Sequence, residues 1–336
     1  MTLMSSELPL ARAYDLALVD LDGVVYLGPE PVEHASDGLA GARSMGMSIV
    51  FVTNNASREP ATVAAHLTEL GVAAAPGEVL TSAQTAVAIL GDVVASGSRV
   101  LVVGGTGLRM AVADAGYRIV DSADDAPAAV VQGFGPDVGW QDLAEASYAI
   151  QRGARFVATN LDATQPKDRG IAPGNGTLVG AVAVTTGVTP ISAGKPEPAM
   201  FWQAARERGA ERPLVVGDRL DTDLGGARAA GYDGLLVLTG VSTVRDAALA
   251  PVGQRPAYLG QDLRSLHAPH PAATAAEAGW WECRGARARV EAGSLELDGA
   301  GEDPLDRARA ACAAAWAAAD DGRPVDPATV GSLTDV

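Results

Sequence analysis

Short runs of apolar, β-branched residues alternate along this chain with longer stretches of helical periodicity. The strand-like runs lie at 16–20, 48–53, 214–217 and 234–239, and helical patterns lie between them, for example at 60–70 and 199–208. Continuously apolar strands separated by amphipathic helices are typical of a parallel sheet that is covered on both faces. The pattern therefore predicts an α/β fold built on a parallel sheet.

A second α/β unit is predicted between the second and third of these strands. Its strand-like runs lie at 99–103, 118–120, 128–132 and 156–158. Because this interval separates two parts of the first sheet, it is predicted to be an insertion whose ends return to the core. We therefore predict a discontinuous core at 1–80 and 188–267 and an inserted α/β domain at 81–187.

The remaining residues, 268–336, have a different pattern. His267–Pro271 is predicted to be a linker, and its H-x-x-H spacing is interpreted as incidental rather than as a metal site. Two short strands are predicted at 287–290 and 294–297, followed by a helix that starts after Asp303-Pro304 and ends near Asp320. One face of that helix would carry Leu305, Ala308, Cys312, Ala315 and Ala319, with Trp316 beside it. A β-β-α unit this small cannot bury much surface alone, so it is predicted to pack on the core, on the insertion or on another subunit. Its role stays unassigned.

Polar residues follow the first predicted strand directly. Asp20-Leu21-Asp22-Gly23 places two carboxylates where the strand opens into a loop. Ligands of open parallel sheets bind beyond the carboxyl ends of the strands. The spacing suits a phosphoryl-transfer site, where one carboxylate attacks and the other handles protons. For a single D-x-D-G motif, an acidic turn that only caps the next element is the simpler alternative.

Three further segments favour the catalytic interpretation. Thr53-Asn54-Asn55 ends the second strand with a hydroxyl and two amides, which can hold phosphate oxygens without adding charge. Lys195 lies in a Gly-Lys-Pro turn and supplies an ammonium group. Asp218 and Asp223, in the spacing G-D-x-x-x-x-D, follow the third strand. Four such motifs in this order are not expected by chance.

These four motifs resemble the signature of the haloacid dehalogenase superfamily of aspartate-nucleophile phosphatases. The resemblance covers about residues 13–267. The segments Thr53–Asn55, Pro173–Gly176 and Leu238–Thr243 are similar to the NagD and p-nitrophenylphosphatase-like subfamily, and within it to actinobacterial-type glycerol-3-phosphate phosphatases. The resemblance implies a Rossmann-like parallel-sheet core with an inserted α/β cap at 81–187. It says nothing about residues 268–336.

The resemblance also implies a role for each motif residue. Asp20 would be the nucleophile that forms an aspartyl-phosphate, and Asp22 the general acid and base. Thr53, Asn54, Asn55 and Lys195 would bind the phosphate, with Lys195 also orienting Asp20. Mg²⁺ would be bound by Asp20, Asp218 and the backbone carbonyl of Asp22. Asp223 would support the metal site without binding the ion directly. In the cap, the residues that would contact the substrate are Asn160, Asp162 and Asn175.

Substrate selectivity is predicted to reside in the cap, because the phosphate-binding groups treat all monoesters alike. Glycerol 3-phosphate is the substrate that the resemblance implies, with phosphoglycolate, pyridoxal phosphate and sugar phosphates as alternatives. A dehalogenase would not need Asp22. A phosphotransferase would share every motif, and a non-catalytic protein that binds a phosphorylated metabolite is the alternative from a different class.

Composition narrows the partners and the compartment. The net charge of −16 repels nucleic acid and anionic membrane surfaces, so any phosphate that the protein binds must meet a locally positive pocket. A small phosphorylated metabolite is the partner that the resemblance implies. The two cysteines, Cys283 and Cys312, lack metal-site spacing and are predicted to be reduced, buried thiols. No apolar run approaches the roughly 20 residues that span a bilayer. We therefore predict a cytoplasmic protein without membrane insertion, able to form a homo-oligomer through the cap or the C-terminal region.

Overall fold

The computed structural model describes residues 3–167, 169–330 and 333. The chain divides into two compact units. Unit 1 comprises Met1–Val50, Leu70–Ala73 and Ala205–Val336, and unit 2 comprises Phe51–Glu69 and Ala74–Ala204. The three-part division made from the sequence remains a prediction.

The strands of the described residues, in chain order, are β1 (Leu16–Val19), β2 (Tyr26–Leu27), β3 (Glu30–Pro31), β4 (Ser48–Thr53), β5 (Val79–Thr81), β6 (Arg99–Val103), β7 (Arg118–Val120), β8 (Ala129–Gln132), β9 (Arg155–Ala158), β10 (Thr164–Lys167), β11 (Gly170–Pro173), β12 (Ile191–Ser192), β13 (Pro213–Gly217), β14 (Asp233–Val237), β15 (Tyr258–Gly260), β16 (Thr274–Ala275), β17 (Trp281–Cys283), β18 (Ala286–Glu291) and β19 (Ser294–Asp298).

The helices are α1 (Leu10–Ala13), α2 (Ala35–Ser44), α3 (Pro60–Glu69), α4 (Ser82–Val93), α5 (Thr106–Asp114), α6 (Trp140–Gln151), α7 (Asn175–Thr186), α8 (Ala199–Arg208), α9 (Gly225–Ala230), α10 (Val244–Ala248) and α11 (Leu305–Asp320). A π-helical turn at Leu220–Leu224 precedes α9. In the described ranges, no helix combines the length and the apolar composition that crossing a bilayer requires.

Unit 1 contains a parallel sheet with the strand order β15-β14-β13-β1. All four residues of β1 are buried, as expected for a strand with helices on both faces of its sheet. Strand β4 begins in this unit, where the N–H of Ser48 donates to the carbonyl of Asp15 at 2.9 Å. The parallel α/β core predicted from the apolar runs is confirmed.

The C-terminal part of unit 1 is an antiparallel sheet with the order β16-β17-β18-β19, against which α11 packs. Helix α11 follows Pro304 and is rich in alanine, the residue with the highest helix propensity. Its other side contacts α10 and β15. Of the three packing partners left open by the sequence, the structure shows the core.

Two details of that prediction need correction. The helix is buried on nearly every side rather than along one stripe, because a sheet and the core enclose it, and Ala319 is exposed. The segment His267–Pro271 is packed rather than a free linker. His270 is 4% exposed, its Nε2 lies 2.9 Å from the Ser265 carbonyl, and the Nε2 of His267 lies 2.7 Å from the Gly38 carbonyl.

Unit 2 contains a parallel sheet with the order β12-β9-β8-β6-β7. Its two faces form separate apolar clusters, because alternate residues of a strand point in opposite directions. Val100 and Val102 of β6 join the cluster that α4 and α5 cover, whereas Leu101 and Val103 join the cluster under α6 and α7. The predicted second α/β unit is present. The antiparallel hairpin β10–β11 and the short strands β5 and β12 were not predicted.

Candidate active site

Three carboxylates of unit 1 converge at one edge of its parallel sheet. Asp20 follows β1, Asp218 follows β13, and Asp223 lies in the π-helical turn that comes next. Strands β1 and β13 are adjacent and parallel, so their carboxyl ends meet at the same edge. One oxygen from each carboxylate lies within 4.8 Å of the others. The structure thus brings together residues that are about 200 positions apart in the sequence.

The turn after Asp20 approaches Asp218 closely. Gly23 has a φ of +82°, and its N–H donates to the carbonyl of Tyr26 at 2.8 Å, which closes the loop. A Cβ at this position would lie 2.4 Å from Oδ2 of Asp218. Glycine therefore allows the two acidic segments to meet. Asp22, one residue earlier, is exposed and its side chain is not part of the carboxylate cluster.

The loop Thr239–Ser242, which we call the β14 loop, holds Asp218 in place. The N–H of Val241 donates to Oδ2 of Asp218 at 2.7 Å, and the N–H of Ser242 donates to the Asp218 carbonyl at 3.0 Å. The Thr239 hydroxyl donates to the carbonyl of Gly23 at 2.6 Å. Because Asp218 is fully buried, the hydrogen bonds from the β14 loop fix the orientation of its carboxylate.

The two acidic residues of the π-helical turn differ in environment. Asp223 is fully buried, and its Oδ2 accepts the N–H of Arg219 at 3.2 Å. Asp221 is exposed and forms an ion pair with Arg219 at 2.8 Å. Hydrogen bonding from Arg219 lowers the pKa of Asp221 against an opposing effect of desolvation. Asp223 therefore belongs to the cluster, whereas Asp221 lies on the surface.

The carboxylate cluster suits a hard divalent cation. Its donors are all oxygen atoms, which Mg²⁺ prefers. Asp218 and Asp223 are both fully buried, and a cation between adjacent buried carboxylates offsets their mutual repulsion. Gly23 and Gly240 surround Asp218, and a Cβ on Gly240 would lie only 2.0 Å from its Oδ2. The residues present therefore fit the metal that the resemblance implies.

The second group of predicted site residues lies in unit 2. Thr53 ends β4 and is buried, and its Oγ1 accepts the N–H of Asn55 at 3.1 Å. Oδ1 of Asn55 accepts from both the N–H and the hydroxyl of Ser57, at 2.9 and 2.7 Å. These side-chain-to-backbone bonds form the turn that follows the strand.

Asn54 and Lys195 are joined by a two-point hydrogen bond. Oδ1 of Asn54 accepts the N–H of Lys195 at 2.8 Å, and Nδ2 donates to the Lys195 carbonyl at 3.1 Å. Lys195 is 3% exposed, and its Nζ donates to the carbonyl of Val52 at 3.3 Å. The second and third sequence motifs therefore form one rigid assembly.

The cap residues predicted to contact substrate connect to this assembly. Nδ2 of Asn54 also donates to both oxygens of Asp162, at 3.1 and 3.2 Å. Asn160 donates from Nδ2 to the Asn54 carbonyl at 2.7 Å, and Asn175 donates to the Asn160 carbonyl at 2.8 Å. Asn160 and Asn175 are both buried. A series of buried amides thus extends from α7 to the loop after β4.

Several supporting residues received no role from the sequence, although the segment Leu238–Thr243 was noted as a subfamily feature. Val241 and Thr239 of the β14 loop, and Ser82, whose hydroxyl donates to the Asn54 carbonyl at 2.6 Å, were not assigned. A signal for the β14 loop was present, since it follows a strand of the same parallel sheet. Ser82 carries no comparable signal, because its contact depends on the packing of α4.

Family models match three parts of the chain. The haloacid dehalogenase-like hydrolase model matches residues 17–118, and a related model of the same hydrolases matches 192–266. A model of the GCN5-related N-acetyltransferase-like domain matches 283–332. A D-glycerol 3-phosphate phosphatase of Mycobacterium tuberculosis is 45% identical over 312 residues, which is 92% of this chain and 88% of that protein.

The chain belongs to the haloacid dehalogenase-like hydrolases. Other members of the family are also similar to it. An acid sugar phosphatase of Staphylococcus aureus is 36% identical over 254 residues, 75% of this chain and 96% of that protein. Among solved structures, a glycerol phosphate phosphatase of M. tuberculosis in complex with magnesium has a TM-score of 0.84 at 44% identity, covering 94% of this hydrolase and 93% of that chain. The family resemblance predicted from the four motifs is confirmed.

Proposed function

We propose that this hydrolase cleaves glycerol 3-phosphate to glycerol and phosphate in a Mg²⁺-dependent reaction. The observation that carries the proposal is the 45% identity to a D-glycerol 3-phosphate phosphatase, which extends over 92% of the chain. Because the unmatched part of the chain is shorter than the segment 268–336, this match extends into the C-terminal region, whereas the S. aureus relative matches 75% of the chain. The convergence of Asp20, Asp218 and Asp223 supports the same chemistry.

Asp20 and Asp22 divide the reaction into two displacements. A carboxylate oxygen of Asp20 attacks phosphorus, the phosphorus–oxygen bond to glycerol breaks, and Asp22 donates a proton to the departing alkoxide. In the second step, Asp22 takes a proton from water as that water attacks the aspartyl-phosphate, and phosphate is released. The exposed position of Asp22 suits a residue that exchanges protons with solvent and leaving group.

Mg²⁺ would be held by Asp20, Asp218 and the backbone carbonyl of Asp22, with Asp223 completing the acidic environment. When bound, the cation neutralises charge on the phosphoryl group, so that an anionic nucleophile can approach it. The β14 loop keeps Asp218 oriented for this purpose.

Thr53 and Lys195 would bind the transferring phosphoryl group through a hydroxyl and an ammonium. Asn55 and the backbone of Asn54 would complete the phosphate site. The Asn54 side chain would act indirectly, because its amide already bonds to Lys195 and Asp162. We propose that the buried Asn160 and Asn175 support Asn54 from within unit 2.

We propose the cytoplasm as its compartment, because both cysteines are free and buried. Burial, with a further contribution from Asp306, raises the pKa of the Cys283 thiol to about 12. Burial also raises the pKa of Cys312. Thiols of this kind stay protonated and unreactive in a reducing environment.

A second candidate is a phosphatase for another small monoester. The S. aureus relative, named an acid sugar phosphatase, supports this alternative. Phosphoglycolate, pyridoxal phosphate and sugar phosphates are the compounds to compare. A phosphotransferase would give phosphorylated acceptor instead of free phosphate, and a non-catalytic binding protein would give neither.

The test is a screen for phosphate release from these compounds with Mg²⁺. We expect the highest kcat/KM for glycerol 3-phosphate, loss of activity in excess EDTA, and its recovery when Mg²⁺ is restored. A sugar phosphate that exceeds glycerol 3-phosphate by tenfold or more would establish the second candidate. Full activity in EDTA would contradict the metal-dependent mechanism.

A further inference from the structure

The C-terminal segment 274–330 (the tail) has a docking surface formed by α11. This helix lies between the tail's own sheet and helix α10 of the core. In its first turn, the Asp306 carboxylate accepts the N–H groups of Glu302 and Asp303 at 3.0 and 2.9 Å and bonds to Arg284, which ties the preceding loop to the helix. The contacts on the core side of α11 show what the tail does for the hydrolase.

Trp316 makes the central contact between α11 and α10. Its Nε1 donates to the carbonyl of Ala247 at 2.9 Å, and the residue is 1% exposed. The guanidinium of Arg255 lies 5.4 Å from the ring centroid and forms an ion pair with Asp320 at 2.7 Å. A buried indole with its N–H satisfied and a cation against its face is a strong packing anchor.

Arg245 makes a second contact from α10 to the tail. Its Nη2 donates to the carbonyl of Pro327 at 2.7 Å, and its Nε donates to the carbonyl of Val330 at 3.1 Å. Helix α10 has only five residues, and a helix this short depends on packing for its stability. The tail therefore holds α10 at both Ala247 and Arg245.

Helix α10 directly follows the β14 loop in the chain. Thr243 caps the helix by accepting the N–H of Asp246, and it directly follows the loop whose Val241 N–H binds Asp218. Leu220 and Leu224, in the turn that carries Asp223, belong to the same buried apolar cluster as Trp316. The tail thus packs against both segments that orient the buried carboxylates.

We propose that the tail is a positioning element for the Mg²⁺ site, acting through Trp316 and Arg245 on the β14 loop and on the turn Leu220–Leu224. The inference rests on the proposed function, which assigns the metal to Asp218. It assigns a role to the region matched by the acetyltransferase-like model. The physical basis is preorganisation: a carboxylate that is already oriented binds a cation without first ordering its loop.

The experiment compares two Trp→Phe variants of the full-length protein. Trp316→Phe retains most of the apolar volume but removes the hydrogen bond to Ala247. Trp280→Phe is the matched control, since its indole stacks with Arg287 and Arg289 of the tail's own sheet at 4.8 Å. Arg245→Gln is a second test that leaves the tail sequence intact. The readouts are Mg²⁺ affinity by calorimetry without substrate, and hydrogen exchange of the segment 239–248.

We expect Trp316→Phe to weaken Mg²⁺ binding about fivefold, as for the loss of one hydrogen bond, and Arg245→Gln to weaken it at least as much, because Arg245 makes two hydrogen bonds to the tail. Exchange in 239–248 should accelerate by a similar factor, while strands β6 and β8 stay protected. Trp280→Phe should match wild type in both measurements. A role limited to general stability would lower the Tm of all variants without changing Mg²⁺ affinity, and that result would overturn the proposal.

Asp218→Asn separates this proposal from the one on which it rests. If Asp218→Asn abolishes Mg²⁺ binding while Trp316→Phe and Trp280→Phe behave alike, the tail proposal alone fails. If Asp218→Asn leaves Mg²⁺ affinity unchanged, the metal assignment fails, and the tail proposal fails with it. Circular dichroism of each variant confirms that the compared proteins are folded.

Discussion

The side-chain amide of Asn54 pairs with the backbone of Lys195 at both its polar atoms, at 2.8 and 3.1 Å. The two residues are 141 positions apart. Because Lys195 is buried, its backbone position largely decides where its ammonium lies. Asn54 therefore holds the Lys195 backbone, and we propose that it positions the Lys195 ammonium in this way.

Removing this pairing should impair catalysis more than stability. Asn54→Ala leaves the Lys195 backbone without its two partners and removes the donor to Asp162. We expect kcat/KM to fall by about 100-fold, the effect of displacing a catalytic group by roughly 1 Å. Steady-state phosphate release with saturating Mg²⁺ measures it.

The control for Asn54→Ala is Ser36→Ala, which removes one exposed hydrogen bond to the Gly71 carbonyl. We expect this variant to retain wild-type kcat/KM. An Asn54→Ala enzyme within threefold of wild type would show that Lys195 does not need the pairing.

A methyl group at Gly240 should disrupt the metal site. In Gly240→Ala the new Cβ would lie 2.0 Å from Oδ2 of Asp218, so the carboxylate must move. We expect Mg²⁺ affinity to fall at least about tenfold, in proportion to the loss of one oriented ligand. Gly253→Ala is the matched control, since a Cβ at that position would meet none of the described residues of other segments within 4 Å. Equal Mg²⁺ affinity of the two variants by calorimetry would contradict the assignment of Asp218.

His270 should make the free energy of unfolding depend on pH in mild acid. Burial lowers its pKa from 6.5; nearby Arg309 lowers it further, while the Ser265 hydrogen bond and Asp303 oppose the shift. The folded state therefore binds fewer protons than the unfolded state. Stability is fully present above pH 6.5 and is lost as the pH falls from there towards the folded pKa.

The measurement is urea unfolding at several pH values between 5 and 7.5. His270→Gln can still donate to Ser265 but does not titrate, so we expect its stability to change less with pH over this range. Parallel slopes for the wild type and His270→Gln would rule out His270 as the source.

Several strands of the two parallel sheets were predictable because their signals are local. The runs at 99–103 and 118–120 were placed correctly, since each is a β-branched stretch between turn residues. The helix α11 was predicted from its proline start and alanine content. The burial of α11 on almost all sides was not predicted, because it depends on contact with α10, which lies some 60 residues earlier in the sequence.

The same division between local and distant information applies to the site. Most of the motif residues were identified because they follow predicted strands, whereas Lys195 was identified from its Gly-Lys-Pro turn and from the order of the four motifs. The Asn54–Lys195 pairing and the Val241–Asp218 bond join distant segments. The hydrophobic periodicity of the sequence does not predict these two contacts, because they depend on how the strands and loops pack in three dimensions.

Replacing the two carboxylates of the first motif should give different defects. Asp20→Asn should lower turnover more than 100-fold with the fold intact, because the amide is nearly isosteric but a poor nucleophile. Asp22→Asn should still release p-nitrophenol in a burst, since that leaving group needs no proton, and should then hydrolyse the phosphoenzyme slowly. Rapid quench of Asp22→Asn that traps no phosphoenzyme during such a burst would contradict the proton role.

The final prediction concerns neighbouring residues of one cap loop. Asn160 is buried and bonds to Asn54, whereas the side chain of Leu161 is 45% exposed. If Asn160 acts through Asn54, its replacement affects binding of the phosphoryl group, which all monoesters share. An exposed side chain such as that of Leu161 is available to contact the leaving group, which differs between substrates. The two positions should therefore differ in selectivity.

We expect Asn160→Ala to lower kcat/KM for glycerol 3-phosphate and p-nitrophenyl phosphate by the same factor, about tenfold. Leu161→Ala should lower kcat/KM for glycerol 3-phosphate more than for p-nitrophenyl phosphate, whose activated leaving group depends less on positioning. The ratio of the two kcat/KM values is the measurement, because it cancels changes in the amount of active enzyme. If Asn160→Ala changes the ratio and Leu161→Ala does not, the buried asparagine contacts the substrate and its proposed supporting role is wrong.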